Sequence, residues 1–126
     1  MVTSTPSDRI VLVVDDDSAV RQTLARVLAH EGFVVAEAAN GQEALLWLRS
    51  GRRPGVIVLD LRMPVMDGWA FRAAQRDDRR IADIPVVILS GADAHRFHEL
   101  DAVAVFEKPV TLSELTSRLQ QLFEEG

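Results

Sequence analysis

The 126-residue chain contains no cysteine, which excludes a disulfide framework, a thiolate metal site and a thiol redox centre. No apolar run approaches the ~20 residues needed to cross a bilayer. The N-terminus lacks the apolar core of a signal peptide. Basic charge is in deficit, since 14 Lys and Arg against 19 Asp and Glu leave a net charge of -5. That balance argues against direct nonspecific contact with nucleic acid. There is no internal repeat, no low-complexity tract and no glycine-rich phosphate loop after the first apolar run. The expected setting is cytoplasmic, away from the membrane. A chain this long buries a little over ~65% of its unfolded surface and needs no covalent staple.

What is present is a set of short apolar runs that end in reactive groups. Ile10-Val11-Leu12-Val13-Val14 ends at Asp15-Asp16, and Val56-Ile57-Val58-Leu59 ends at Asp60. Ile84-Pro85-Val86-Val87-Ile88-Leu89 ends at Ser90, and Val103-Ala104-Val105-Phe106 is followed at Lys108 by an amine. Each run reads as a parallel strand buried on both faces. A short second strand is expected over 33–37. Between the strands lie helical patterns. Ser18 or Asp17 caps the first, with Val20, Leu24, Val27 and Leu28 as its apolar stripe up to Gly32. Asn40-Gly41 opens the second, which carries Ala44, Leu45 and Leu48 on one face and ends near Gly51. A third is expected over 69–75, a short fourth over 93–100, and a last one capped by Thr111 with Glu114 completing a capping box. Alternating βα units predict an α/β sandwich, a doubly wound parallel sheet with helices on both faces. The expected organisation is a frayed leader over 1–8 and one domain over 9–126.

Ligands of open parallel sheets bind at the carboxyl ends of the strands. Three carboxylates, a hydroxyl and an ammonium gathered there suit a divalent metal and a phosphoryl group. Carboxylates about 4 Å apart repel by roughly 4 kcal/mol at an effective dielectric near 20, so a cation or a proton must join them. An all-oxygen ligand set favours Mg²⁺. An Asp can attack phosphorus to give an acyl phosphate, with Ser90 as donor and Lys108 as fixed cation. Plainer roles stay open: Asp15 to Asp17 as helix caps, Asp60 and Ser90 as turn residues, Lys108 as a surface amine.

Four stretches, Val13-Val14-Asp15-Asp16-Asp17-Ser18, Asp60-Leu61-Arg62-Met63-Pro64-Val65-Met66-Asp67-Gly68, Ser90-Gly91 and Lys108-Pro109, together resemble CheY-like response-regulator receiver domains, whose fold is flavodoxin-like. The resemblance runs from Arg9 to about Glu124. It implies that Asp60 is a phosphoacceptor for the phosphohistidine of a sensor histidine kinase or phosphotransfer protein. It also implies that Asp16 ligates Mg²⁺ directly, Asp15 partly through water, and Arg62 through its backbone carbonyl. Ser90 and Lys108 would bind the phosphoryl oxygens, the Lys108-Pro109 bond would be cis, and Gly68 would occupy a turn with positive φ. The downstream target is a further, unidentified protein, and the expected state is a monomer or weak dimer.

Two features depart from the family pattern. The position three residues before the strand-five Lys usually holds an aromatic, and here it is Val105; Phe106 follows it and must face the other way. The stretch from Ser90 to Lys108 is also shorter by roughly one helical turn, ~3.6 residues. A different local rearrangement, centred on residues 92–100, is therefore expected on signalling. Arg62 and Ala92 flank the expected acyl phosphate. The alternatives are a phosphorylation-independent interaction module, an aspartyl-phosphate phosphatase (disfavoured because Arg62 stands where its second Asp would) and a flavodoxin-type cofactor binder. His95, His98 and Glu99 do not form a recognisable metal motif. Trp47 and Trp69 are expected to pack on the sheet, and Arg49, Arg52 and Arg53 to form a solvated basic corner.

Overall fold

The computed structural model describes residues 9–91 and 100–125. The leader expected over 1–8, nearly all of the expected fourth helix, and with it His95, His98, Glu99 and Ala92, lie outside the described residues. The elements are β1 Ile10–Val14, α1 Ser18–His30, β2 Val34–Ala38, α2 Gly41–Arg49, β3 Val56–Asp60, α3 Gly68–Arg76, β4 Val86–Ser90, β5 Ala104–Glu107 and α4 Leu112–Glu125. All strand pairs are parallel and form one sheet of order β2-β1-β3-β4-β5. This is the flavodoxin-like order expected of the sequence. No helix among the described residues is long and apolar enough to cross a membrane.

Strand parity divides the core in two. Leu12, Val14, Ile57, Leu59, Val86 and Ile88 point to the side covered by α2 and α3, where Leu45, Leu48 and Phe71 meet them. Val11, Val13, Val56, Val58, Val87 and Leu89 point to the side of α1 and α4, against Leu24, Leu28, Leu115 and Leu119. Both faces of β1, β3 and β4 are thus buried, as uninterrupted apolar runs require. β5 is different. It lies at the sheet edge, Ala104 and Phe106 pack inward, and Val105 is 37% exposed, so the expectation of a strand buried on both faces does not hold. Its position alone decides this, because every residue of the run 103–106 is apolar.

Local chemistry explains where the helices begin. Asp17, not Ser18, caps α1, its Oδ1 accepting from the Ala19 and Val20 amides at 3.0 and 3.2 Å. Val20 is not part of the buried stripe, being 39% exposed. Asn40 caps α2 by accepting from Glu43 N–H, while Glu43 accepts from the amide of Ala39. Asp67 caps α3 through Ala70 N–H at 2.8 Å, and α3 begins one residue earlier than the sequence suggested. Gly68 is not in the positive-φ region expected of it. It is required by contact instead: a Cβ there would fall 2.7 Å from Leu61 Cα and 3.0 Å from Asp60 O. Backbone on backbone leaves nothing to give way.

Gly68→Ala is therefore expected to lower stability by about 1–3 kcal/mol, read as a lower urea midpoint. Gly91→Ala, whose Cβ would meet nothing within 4 Å, is expected to leave the midpoint near that of the native chain.

Candidate functional site

β1, β3, β4 and β5 lie side by side and end at the same edge of the sheet. Asp15 follows β1, Asp60 and Ser90 close β3 and β4, and Lys108 follows β5. Parity then does the sorting. Asp15 continues the Val11, Val13 row, Asp60 the Val56, Val58 row, and Lys108 the Ala104, Phe106 row, so all three leave the sheet toward α1 and α4. Ser90 continues the Val86, Ile88 row on the opposite side. The sheet thereby brings Asp15, Asp60 and Lys108 together on one side of this edge and sets Ser90 at the same edge on the other side.

The geometry is compact. Asp15 is 1% exposed and Asp60 6%, whereas Asp16 faces solvent. One carboxylate oxygen from each of Asp15, Asp16 and Asp60 lies within 4.8 Å of the others. Lys108 Nζ donates to Asp60 Oδ1 at 3.0 Å. Lys108 N–H also donates to the Ser90 carbonyl at 2.8 Å, and the Lys108-Pro109 peptide bond is cis. Ser90 is 5% exposed.

Asp15 carries the electrostatic tension. Its Oδ1 accepts from Asp17 N–H at 2.9 Å, but its buried Oδ2 has no hydrogen-bond partner. Burial raises its pKa; the Asp17 amide opposes that rise, Asp60 adds to it, Lys108 opposes and Asp16 adds again. A buried carboxylate oxygen left without a donor costs free energy, and it is what a cation would relieve.

Two devices hold the ligand-bearing turns. Arg21 on α1 donates to the Asp15 backbone carbonyl at 2.7 Å and to Glu37 at 3.0 Å, clamping the turn after β1 against the end of β2. The loop after β3 is tied at both ends. Gly68 N–H donates to Leu61 O, and Gly41 N–H at the start of α2 donates to Met66 O at 3.0 Å. A Cβ on Gly41 would strike Met66 at 2.8 Å. Between the ties, Val65 has a φ of 70°, an unfavourable value for a β-branched residue, and Met66 N–H turns back to Pro64 O at 2.7 Å. The sequence marks Gly41 only as the opening of α2 and gives Arg21 no role at the site. Arg21 was one more polar residue on a helix, and the close approach at Gly41 has no sequence signal beyond the glycine itself.

The residues fit Mg²⁺. The donor set is all oxygen, the three carboxylates face one another, and the orphaned Asp15 oxygen wants a cation. Asp15, Asp16 and Asp60 would hold the ion, with the Arg62 carbonyl in the tied loop as a further oxygen. Trp47 and Trp69 pack at the rim of the core on the α2 and α3 side. Arg52 stacks on Trp47 at 5.3 Å. Arg49 and Arg53 pair with Asp78 and Asp83, so the basic corner is partly neutralised.

The sequence and the fold match known proteins. A family model described as response regulator receiver domain matches residues 11–120. Transcriptional regulatory protein PrrA of Mycobacterium tuberculosis is 44% identical over 118 residues, covering 89% of this chain and 48% of that protein. The chain spans about half the length of the curated relatives it matches. The receiver domain of the Francisella response regulator 1452 superposes with a TM-score of 0.84 at 29% identity, covering 93% of this chain and 98% of that one. Response regulator TrrA of Thermotoga maritima, solved in complex with Mg²⁺ and BeF, gives 0.78 at 28% identity over 90% of this chain and 98% of that one.

Because the folded pKa of Asp15 is raised, the stability tied to this group is complete below its ordinary value of 3.8 and is lost as pH rises through the folded value. Asp15→Asn keeps an oxygen for the Asp17 amide and removes the charge. Without metal near neutral pH it is expected to gain about 1–2 kcal/mol, part of the roughly 3 kcal/mol repulsion between charges ~5 Å apart at an effective dielectric near 20. The gain should shrink on acidification, and Mg²⁺ should raise the thermal midpoint of the native chain far more than that of the variant.

Proposed function

The chain belongs to the response regulator receiver family, and from that premise we propose that Asp60 is its phosphoacceptor in a Mg²⁺-dependent reaction. Receivers of this family are signalling domains of two-component systems rather than classical enzymes, and they generally bind Mg²⁺ at an acidic site. The observation that carries the assignment to Asp60 is its contact with Lys108 at 3.0 Å, made in a buried position beside the unpartnered oxygen of Asp15. An aspartate needed only for capping would have no use for an ammonium delivered from the far edge of the sheet.

The chemistry follows from the groups present. An Asp60 carboxylate oxygen attacks the phosphorus of a phosphohistidine. The new P–O bond forms as the P–N bond breaks, and the electron pair leaves with the donor imidazole, which takes up a proton. Lys108 neutralises charge on the phosphoryl oxygens, and Ser90 offers a hydroxyl donor to them once its side chain turns toward the acceptor. Bound Mg²⁺ supplies further charge neutralisation and orientation, held by Asp15, Asp16, Asp60 and the Arg62 carbonyl.

The phosphodonor is a sensor histidine kinase or a phosphotransfer protein. An apolar groove of 400 Å³ opens next to Lys108, lined by Ala19, Val20, Leu24, Pro109 and Leu112, and it supports docking of such a partner within reach of Asp60. The phosphorylated form, with about -1.5 to -2 added charges, then favours a second packing of the domain that a downstream protein reads. Residues 9–126 form the receiver unit, located in the cytoplasm. Nothing observed favours a phosphorylation-independent interaction module.

Mass spectrometry after incubation with acetyl phosphate and Mg²⁺ is expected to show a single phosphoryl adduct that requires the metal and disappears in Asp60→Asn. Lys108→Ala is expected to slow its formation by about a hundredfold, the scale of removing one donor to developing charge. An adduct that survives Asp60→Asn, or none on the native chain, would overturn the assignment.

A further inference from the structure

Arg72 is an arginine where a leucine would pack. It lies on the buried face of α3 with Gly68, Phe71 and Gln75, and it is only 6% exposed. No carboxylate pairs with it among the described residues, and burial lowers its pKa, Arg76 adding to the effect and Asp101 opposing it. Its guanidinium donors are directed elsewhere. Nε donates to Leu100 O at 2.7 Å, Nη2 to Asp101 O at 3.1 Å and Nη1 to Gln75 Oε1 at 2.8 Å. Gln75 in turn donates to Ile81 O and Ile84 O at 2.9 and 3.1 Å.

Packing alone would not select this residue, because a buried charge carries a desolvation penalty that an apolar side chain of similar volume avoids. What a planar guanidinium does that a leucine does not is grip two successive carbonyls in one orientation. Those carbonyls stand where the chain returns to the sheet. Asp101, with a φ of 52°, turns it, and Val103 N–H joins Val86 O just before β5 begins. At the other end of the same helix face, one turn earlier, Gly68 lies against Asp60 and Leu61. A single rigid element therefore touches the acceptor strand at Gly68 and holds the start of the edge strand at Arg72.

We propose that Arg72 is a positioning residue that couples the acceptor site to the start of β5 through α3, so that the state of Asp60 reaches residues 100–104 by a buried guanidinium. The inference rests on Asp60 being the phosphoacceptor. A charge change at Asp60 alters the seating of Gly68. α3 moves as a unit, and the two carbonyls gripped by Arg72 carry the displacement to residues 100–104, at the start of β5.

The test uses amide NMR of the whole chain before and after addition of Mg²⁺ and beryllofluoride, a phosphoryl mimic. In the native chain, resonances of 60–68 and of 100–104, the stretch gripped by Arg72 and remote in sequence from the direct Lys108 contact with Asp60, are expected to shift together. In Arg72→Met the first set should still shift while the second no longer responds, with an unchanged rate of adduct formation from acetyl phosphate. A purely structural role would alter the starting spectrum or the stability without erasing the response of one set alone. Should Arg72→Met fail to fold, Arg72→Lys, which keeps the charge but cannot grip both carbonyls in a planar fork, is read in the same way. Retention of both responses in a folded variant would overturn the coupling. No response in the native chain at 60–68 would instead overturn the assignment of Asp60, and the inference with it.

Discussion

A carboxylate oxygen buried without a donor sets the terms for everything around it. Asp15 Oδ2 has no partner, and a second and a third carboxylate stand within 4.8 Å. A fold that exists only to be stable would fill this corner with apolar side chains, as it fills the rest of β1. The charge is retained at a cost in stability, which a bound cation would offset. Lys108 offsets only part of that cost, because its ammonium is committed to Asp60.

The scaffold serves the same constraint. Three parallel strands buried on both faces give the site a rigid floor, and strand parity aims Asp15, Asp60 and Lys108 at one side. Rigidity is spent at the turns: Arg21 clamps the carbonyl of Asp15, while Gly41 and Gly68 allow the loop after β3 to be tied at both ends. The edge of the sheet is built on other principles. β5 is half exposed, and Arg72 grips the backbone that leads into it. A site held still and an edge held by a few hydrogen bonds are what a two-state signalling domain needs.

Much of this was legible in the residues. The runs of β1, β3 and β4 are apolar at every position, and a short run of that kind between turn signals admits few readings other than a buried parallel strand. The strand-end groups follow, because parallel strands place their carboxyl ends at one edge; Asp15, Asp16, Asp60, Ser90 and Lys108 were found that way. Features that depend on a neighbour in space were not legible. β5 was expected to be buried because Val103 to Phe106 are all apolar, but an edge strand and a central one can share a composition. Gly68 looked like a turn glycine, and only the proximity of Leu61 shows that steric contact is the reason for it. Arg72 and Gln75 were hidden for the opposite cause: polar residues at helical spacing signal a solvated face, unless carbonyls from other segments satisfy them inside.

The most direct measurement is a pH titration of the aspartate carboxyl carbons by NMR, with and without Mg²⁺. Asp15 is expected to titrate above the ordinary carboxylate range in the metal-free chain, and to fall when Mg²⁺ is added, since the ion competes with the proton for the same oxygens. An Asp15 that titrates in the ordinary range and does not move with Mg²⁺ would contradict the claim that the site is built around an unneutralised charge.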